Sequence, residues 1–279
     1  MSIDLSHKTA LVFQGGGVLG IAYVGALQEL AKRKFNFKYF VGSSVGSIFA
    51  LLMAINIDLD TLEKYILDLD VNACIDQVTW FTGLWRLYSK YGWHDTSRLK
   101  AKISEMVEKV TSKKNLTFGD IKDLYGNHLA ITGFSLEHNT TEFFDPLSTP
   151  DKDVVDACVN SCTVPFFFQC DEYLDGGLED NYPIEYLNRL VGSHHVLGLK
   201  FHTIKKPYQR PKSLYEFVKF LAGTVFNRAL RTHLCKTDRQ NTIPINISSD
   251  ISFLDFNLNA TDKEKLLTDG KISVQNFFK

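Results

Sequence analysis

The stretch that most restricts the fold runs from Thr9 to Ile55. Thr9–Phe13 is a short apolar run that stops at three consecutive glycines, Gly15, Gly16 and Gly17. Ile21–Lys32 follows, with Leu27, Leu30 and Ala31 at helical spacing. Tyr39–Val41 is a second short apolar run, closed by Gly42, and Ser47–Ile55 again reads as a helix. Short, wholly apolar strands alternating with helices predict a parallel sheet covered on both faces.

The later sequence continues this alternation. Helices are expected over Leu62–Leu69, over Ser97–Val110 behind an Asp95-Thr96 cap, and over Val154–Cys162. A long helix is expected over Leu214–Thr232 and a terminal one over Asp262–Phe278, with Leu266, Leu267 and Ile272 facing inward. Strands are expected over His128–Phe134, Thr141–Phe144 and Val196–Phe201, in a short run ending at Asp175, and in the alternating region Pro244–Phe256. No repeat, low-complexity run or linker interrupts the chain. The expectation is one α/β domain over residues 1–279, a three-layer α/β/α arrangement with a mainly parallel central sheet. Its core spans about 8–205, with 206–279 packed on it.

Composition narrows the function classes. The 279 residues carry a formal net charge of −1, so no bulk charge draws the chain to nucleic acid. The five cysteines, Cys74, Cys158, Cys162, Cys170 and Cys235, are odd in number and form no Cys-x-x-Cys. They suit neither a zinc knuckle nor a disulfide framework and are expected to be reduced thiols in a reducing compartment. Met1–Lys8 is polar and no apolar run reaches bilayer-spanning length. The chain is therefore expected in the cytoplasm.

Gly15–Gly20 satisfies the loose dinucleotide pattern G-x-G-x-x-G after a strand. That chemistry needs an acidic residue about 20 positions on to hold a ribose hydroxyl. No Asp or Glu occurs between Glu29 and Asp58. No Gly-Lys-Ser/Thr follows either, which excludes a Walker loop. Two readings stay open: a tight turn, or an oxyanion hole in which the N–H groups of Gly15, Gly16 and Gly17 face a developing negative charge.

Gly42-Ser43-Ser44-Val45-Gly46 is a G-x-S-x-G pentapeptide between a short apolar strand and a helix. In this context it reads as a nucleophile elbow, the sharp turn pushing the Ser44 hydroxyl out at the strand's carboxyl end. In α/β-hydrolases the nucleophile follows several strands and a histidine base comes later. Here the elbow follows only the second strand, and none of the eight histidines stands out as a base. Tyr173-Leu174-Asp175-Gly176-Gly177 places a carboxylate at a strand end against two glycines.

These three blocks, in this order, resemble the patatin-like phospholipases. That family has a Gly-Gly-Gly-x-x-Gly loop after its first strand, a G-x-S-x-G elbow after its second, and a D-G-G/A turn downstream. Ser161–Phe168 resembles the family's small-residue segment with a fixed proline, and Asn181-Tyr182-Pro183 its N-x-P. The resemblance runs from about Lys8 to Pro183. It implies a Ser–Asp dyad without histidine: Ser44 as nucleophile, Asp175 as general base, Gly15, Gly16 and Gly17 as oxyanion hole, with no metal and no cofactor. A free aspartate, with a pKa of about 3.9, is a poor base at neutral pH. Burial without a counter-charge would raise it, so a desolvated dyad is expected. Leu19 stands where many members carry Arg or Lys, and Asn160 and Thr163 stand where small apolar residues are usual.

The resemblance implies a lipid acyl hydrolase of phospholipase A or lysophospholipase type, acting on phospholipid or other acyl lipid at a membrane or lipid-droplet surface. The lack of a basic residue at Leu19 keeps neutral lipid, small ester or thioester open as substrate. A non-catalytic lipid-binding scaffold is the remaining alternative. An activating protein partner, and delivery into a host cell, are both compatible with the resemblance. The aromatic stretch Trp80–Tyr88, followed by Lys90, Tyr91 and Trp93, has two readings: a lid or interfacial anchor, or ordinary core packing.

Overall fold

The computed structural model describes residues 7–203, 235–248 and 250–279, together with 210–214, 216, 217, 220, 221 and 224. Most of the helix expected over Leu214–Thr232 lies outside these residues. In chain order the elements are β1 (Ala10–Phe13), α1 (Ile21–Ala31), β2 (Tyr39–Gly42), α2 (Val45–Ala54), α3 (Leu59–Asp68), α4 (Trp80–Lys90) and β3 (Gly92–His94). Next come α5 (Ser97–Thr111), α6 (Phe118–Tyr125), β4 (His128–Ser135), β5 (Thr140–Phe144), α7 (Val154–Ser161), β6 (Phe166–Phe168) and β7 (Tyr173–Asp175). The described chain closes with α8 (Ile184–Val191), β8 (Val196–Thr203), α9 (Lys236–Gln240), β9 (Thr242–Ile247) and α10 (Ala260–Phe277).

The central sheet has the order β5-β4-β2-β1-β8-β9. β1, β2, β4, β8 and β9 run parallel, and β5 is antiparallel to β4. β1 is buried along its whole length, as a parallel strand between two helical layers must be. Its side chains alternate between two cores. Leu11 and Phe13 join the larger one, with α1, α2, α7 and α10. Ala10 and Val12 join a smaller one under α8, formed with Val41, Ala130, Tyr182, Ile184 and Leu187. The mainly parallel, helix-flanked architecture expected from the alternation is therefore observed.

β7 sits off the main strand order and matters most for the site. Ile131 of β4 pairs with Gly42 of β2 on one edge and Phe144 of β5 on the other. Gly133–Ser135 pair with β5 and with β7. β7 thus occupies the edge of β4 that β2 has just vacated. β7 runs antiparallel, so its carboxyl end meets the carboxyl end of β2. Gly42 lies opposite Ile131 and Asp175 opposite Gly133, two residues, or roughly 7 Å, further along β4.

Several elements differ from the sequence expectation. Of the described residues in the Pro244–Phe256 region, only Pro244–Ile247 are strand, the later part of β9. The following loop instead crosses the glycine loop, where the Phe253 carbonyl accepts from Val18 N–H at 3.0 Å. In α10, Leu266, Leu267 and Val274 are buried as part of the core, but Ile272 is 47% exposed. The buried row is Leu266, Gly270 and Val274 at i, i+4 spacing. A Cβ on Gly270 would lie 1.9 Å from the Ala22 carbonyl oxygen of α1, and one on Gly25 equally close to that of Leu267. The two helices approach backbone to backbone at this pair of glycines.

Gly270→Val should separate α1 from α10 and destabilise the fold by about 1–3 kcal/mol. Ile272→Ala on the exposed side should change stability by less than about 0.5 kcal/mol. Urea unfolding midpoints of the two variants check this directly.

Candidate active site

The site is assembled where β1, β2 and β7 end, beside the point between β1 and β8 at which the strand order reverses. Crevices in open α/β sheets form at such points. The chain leaves β2 through Gly42 and Ser43 and turns into α2 at Ser44. Ser44 has φ 52° and ψ −132°, a backbone conformation that side-chain-bearing residues adopt only at a cost of roughly 1–3 kcal/mol. The turn is tight enough that a Cβ on Gly42 would meet the Gly46 carbonyl oxygen at 2.1 Å, and one on Gly46 would meet that of Phe13 at 2.5 Å. Ser47 closes the first turn of the helix, donating from Oγ to the Ser44 carbonyl at 2.6 Å. The positive end of α2 therefore lies directly behind the Ser44 side chain.

Asp175 arrives from the opposite direction along β4. Ser44 Oγ donates to Asp175 Oδ2 at 2.6 Å. The second carboxylate oxygen, Oδ1, accepts from Gly177 N–H at 2.7 Å. Asp175 is fully buried and Ser44 nearly so. Burial pushes the Asp175 carboxyl up to about 7, while the hydrogen bonds from Ser44 and Gly177 pull it down. Among the described residues no cation and no histidine is hydrogen-bonded to either group. His94 bonds Asp76 instead, at 3.0 Å, and His128 bonds Tyr186 at 2.9 Å.

The end of α7 holds the backbone of both residues. Ser161 Oγ accepts from Ser44 N–H at 2.9 Å, and the Thr163 carbonyl accepts from Asp175 N–H at 2.8 Å. The polar Thr163 is accommodated because its hydroxyl donates to the Val159 carbonyl at 2.9 Å. Ser161 was visible in the sequence only as part of a small-residue segment. Its anchoring role shows no local signal, because its partner is 117 residues away. Cys162 is also buried here, and burial together with the Asp175 charge pushes its thiol well up, so it stays protonated and is no rival nucleophile.

The glycine loop meets the elbow at Gly15. A Cβ there would lie 2.9 Å from Ser44 Cβ and 2.1 Å from Asn181 Oδ1, so only glycine fits. Gly15 and Asn181 are tied reciprocally: Gly15 N–H donates to the Asn181 carbonyl at 3.0 Å, and Asn181 Nδ2 donates to the Gly15 carbonyl at 3.1 Å. Of the three glycines expected as oxyanion donors, Gly15 therefore has its N–H engaged. Those of Gly16 and Gly17 have no hydrogen-bond partner among the described residues. Leu19 is buried in the main core and presents nothing to the crevice. The arrangement offers a hydroxyl nucleophile, a base of raised pKa in contact with it, and uncommitted amide donors alongside.

Comparison with known proteins agrees with this geometry. A family model for the patatin-like phospholipases matches residues 11–188, more than half of the chain. The chain is 29% identical to the uncharacterised protein R571 of Acanthamoeba polyphaga mimivirus, over 98% of this chain and 94% of that one. It is 22% identical to the probable lipid hydrolase 463L of Invertebrate iridescent virus 6, over 95% and 86% of the two chains. Among solved structures, VipD from Legionella pneumophila superposes with a TM-score of 0.66 at 18% identity, covering 98% of this chain and 67% of VipD. That likeness concerns the fold. Elbow, aspartate turn and glycine loop all lie within the matched residues, and the chain is a member of the patatin-like phospholipase family.

Proposed function

We propose that the chain is a metal-independent lipid acyl hydrolase of phospholipase A or lysophospholipase type, working through a Ser44–Asp175 dyad and an acyl-enzyme. The observation that carries this reading is the 2.6 Å bond from Ser44 Oγ to a buried, uncompensated Asp175 carboxylate. Membership of a lipid-hydrolysing family supports the substrate class.

The steps follow from the geometry. Asp175 takes the Ser44 proton as Oγ attacks the ester carbonyl carbon. The carbonyl oxygen becomes an oxyanion, which the N–H groups of Gly16 and Gly17 and the amino end of α2 stabilise. Collapse breaks the ester bond, and the protonated Asp175 returns its proton to the departing alkoxide. Asp175 then deprotonates a water, which attacks the acyl-enzyme. The fatty acid leaves, and Ser44 recovers its proton. Each step uses groups of this chain.

The raised carboxyl is what suits Asp175 to this work. A base with a pKa of about 7 is ionised enough at neutral pH to accept a proton and basic enough to draw one from a hydroxyl. The same shift costs stability. Below about pH 4 the carboxyl is protonated in folded and unfolded chain alike, and no penalty exists. Between about 4 and 7 the unfolded chain ionises while the folded one resists, so stability falls as pH rises. Above about 7 the penalty is complete, on the order of 4 kcal/mol.

Fatty-acid release from phospholipid vesicles and from neutral-lipid emulsions, with EDTA present, tests the reaction. Wild type should release acid, and Ser44→Ala and Asp175→Asn should each lose at least roughly a thousandfold. Undiminished release from Ser44→Ala would sink the assignment. The wild-type kcat/KM should rise about tenfold per pH unit up to about 7 and then level off. Asp175→Asn keeps the shape of the side chain and the bond from Gly177 N–H, while its amide N–H donates to Ser44 Oγ in place of accepting from it. It should unfold at higher denaturant than wild type at pH 8, by up to about 4 kcal/mol, with the difference gone at pH 4.

A further inference from the structure

The aromatic stretch before β3 forms α4, and this helix is inverted. Trp80, Phe81, Leu84, Trp85, Tyr88 and Tyr91 fall within one arc of about 140° on a helical projection. That arc faces outward: Phe81 is 83% exposed, Trp85 67% and Tyr88 82%. The side turned to the protein carries a glycine and a cation instead. Gly83 packs on Trp93, whose ring would lie 2.2 Å from a Cβ at that position. Arg86 is clamped by Asp76 and by Asp95 Oδ2, the latter at 3.3 Å. With these two contacts the helix cannot roll to bury its aromatic side. Single exposed apolar residues are common on protein surfaces, but six in one arc are not.

The helix is joined to the catalytic crevice through one ladder. Trp80 packs against Trp93 of β3, ring centroids 5.3 Å apart and planes tilted by 56°. β3 pairs with β6, Gly92 opposite Phe166. Phe166, half-exposed, thus lies opposite the residue that follows Tyr91. β6 lies between Thr163, which binds the Asp175 backbone, and β7, which carries Asp175. The charge of the segment is one-signed. From Gln77 to His94 it contains Arg86 and Lys90 and no carboxylate, in a chain whose net charge is −1. Asp76 and Asp95 at its borders are engaged by Arg86. Lys90 is exposed, as is Arg98 at the start of α5.

We propose that the outward face of α4, continued by Tyr91 and Phe166, docks the protein on a phospholipid surface bearing anionic headgroups. Rings with an apolar body and a polar tip partition to the lipid–water boundary, and an amphipathic helix lying in that plane buries its apolar arc among the acyl chains. Lys90 and Arg98 then meet phosphate. A second copy of the chain is a poorer occupant, because a symmetric contact would bring these cations face to face. The assignment rests on the acyl hydrolase reading, for which the crevice beside this face must receive an acyl chain from a lipid aggregate.

All three tryptophans of the chain, Trp80, Trp85 and Trp93, lie in this unit, so tryptophan emission, excited at a wavelength that the tyrosines do not absorb, reports on it alone. The Ser44→Ala protein is mixed with phosphatidylcholine vesicles with and without phosphatidylserine, some carrying brominated acyl chains. The expected result is a blue shift, quenching by bromine, and tighter binding to the anionic vesicles that weakens in high salt. Combined Phe81→Ser and Tyr88→Ser should weaken vesicle binding at least about tenfold. With Ser44 intact, the same pair should leave hydrolysis of a water-soluble short-chain ester within about twofold. Unaltered fluorescence in a folded protein, or undiminished binding by the double variant, overturns the proposal. So does a dimer seen by light scattering without lipid that the double variant dissociates. The soluble-ester assay separates the two readings: its independence of Ser44 would refute the active site without touching the docking surface.

Discussion

A carboxylate taken out of water without a counter-cation strains against its own ionisation, and that strain organises this protein. Among the described residues, one hydroxyl and one amide N–H offset the burial of Asp175. Both donors must be placed to within a fraction of an ångström, because neither is an ion whose attraction reaches far. The surrounding structure supplies that placement through backbone rather than through charge. Ser161 and the Thr163 carbonyl hold Ser44 and Asp175 from one side, and β4 meters them from the other. Asn181 and Gly15 lock the glycine loop against the elbow. The stability given up at Asp175 and at the left-handed Ser44 is offset by ordinary core burial in the two helical layers.

A dyad of this kind divides the work differently from a triad. A histidine would bring its own near-neutral pKa to any moderately polar setting. The Asp175 carboxyl reaches the neutral range through burial, which a neighbouring cation or free access of water would undo. The raised thiol of Cys162 reflects the same dry environment. Leu19, packed inward, adds no cation that would undo the effect.

The fold, and the Ser44 and Asp175 turns that it brings together, were largely legible in the sequence because their signals are local. The Thr9–Ile55 stretch contains two strands, two helices and two glycine-marked turns in immediate succession, and each turn has a steric reason for its glycines. Asp175 was legible because two glycines and an apolar strand frame it. What escaped notice depends on distant partners. β3 and β6 are three residues each and exist because they pair with one another. α4 was not evident as a helix, since its apolar residues face outward and imitate a core segment. Ile272 looked like an inward residue of α10, while the true contact row had Gly270 at its centre, invisible to any scale of hydrophobicity. The Gly15 N–H looked as available as its neighbours until the Asn181 carbonyl was found on it.

The two-residue offset on β4 has a consequence for how the chain can vary. Ser44 and Asp175 are 131 positions apart, yet their spacing is measured by one strand that belongs to neither. The intervening chain leaves the sheet after β2, returns as β4 and β5, and leaves again before β7. Lengthening or replacing either excursion shifts no rung of the ladder that aligns the dyad. The geometry of the Ser44–Asp175 pair is thus insulated from the length and content of the segment that contains α4, and that outer segment can be rewritten without moving either residue.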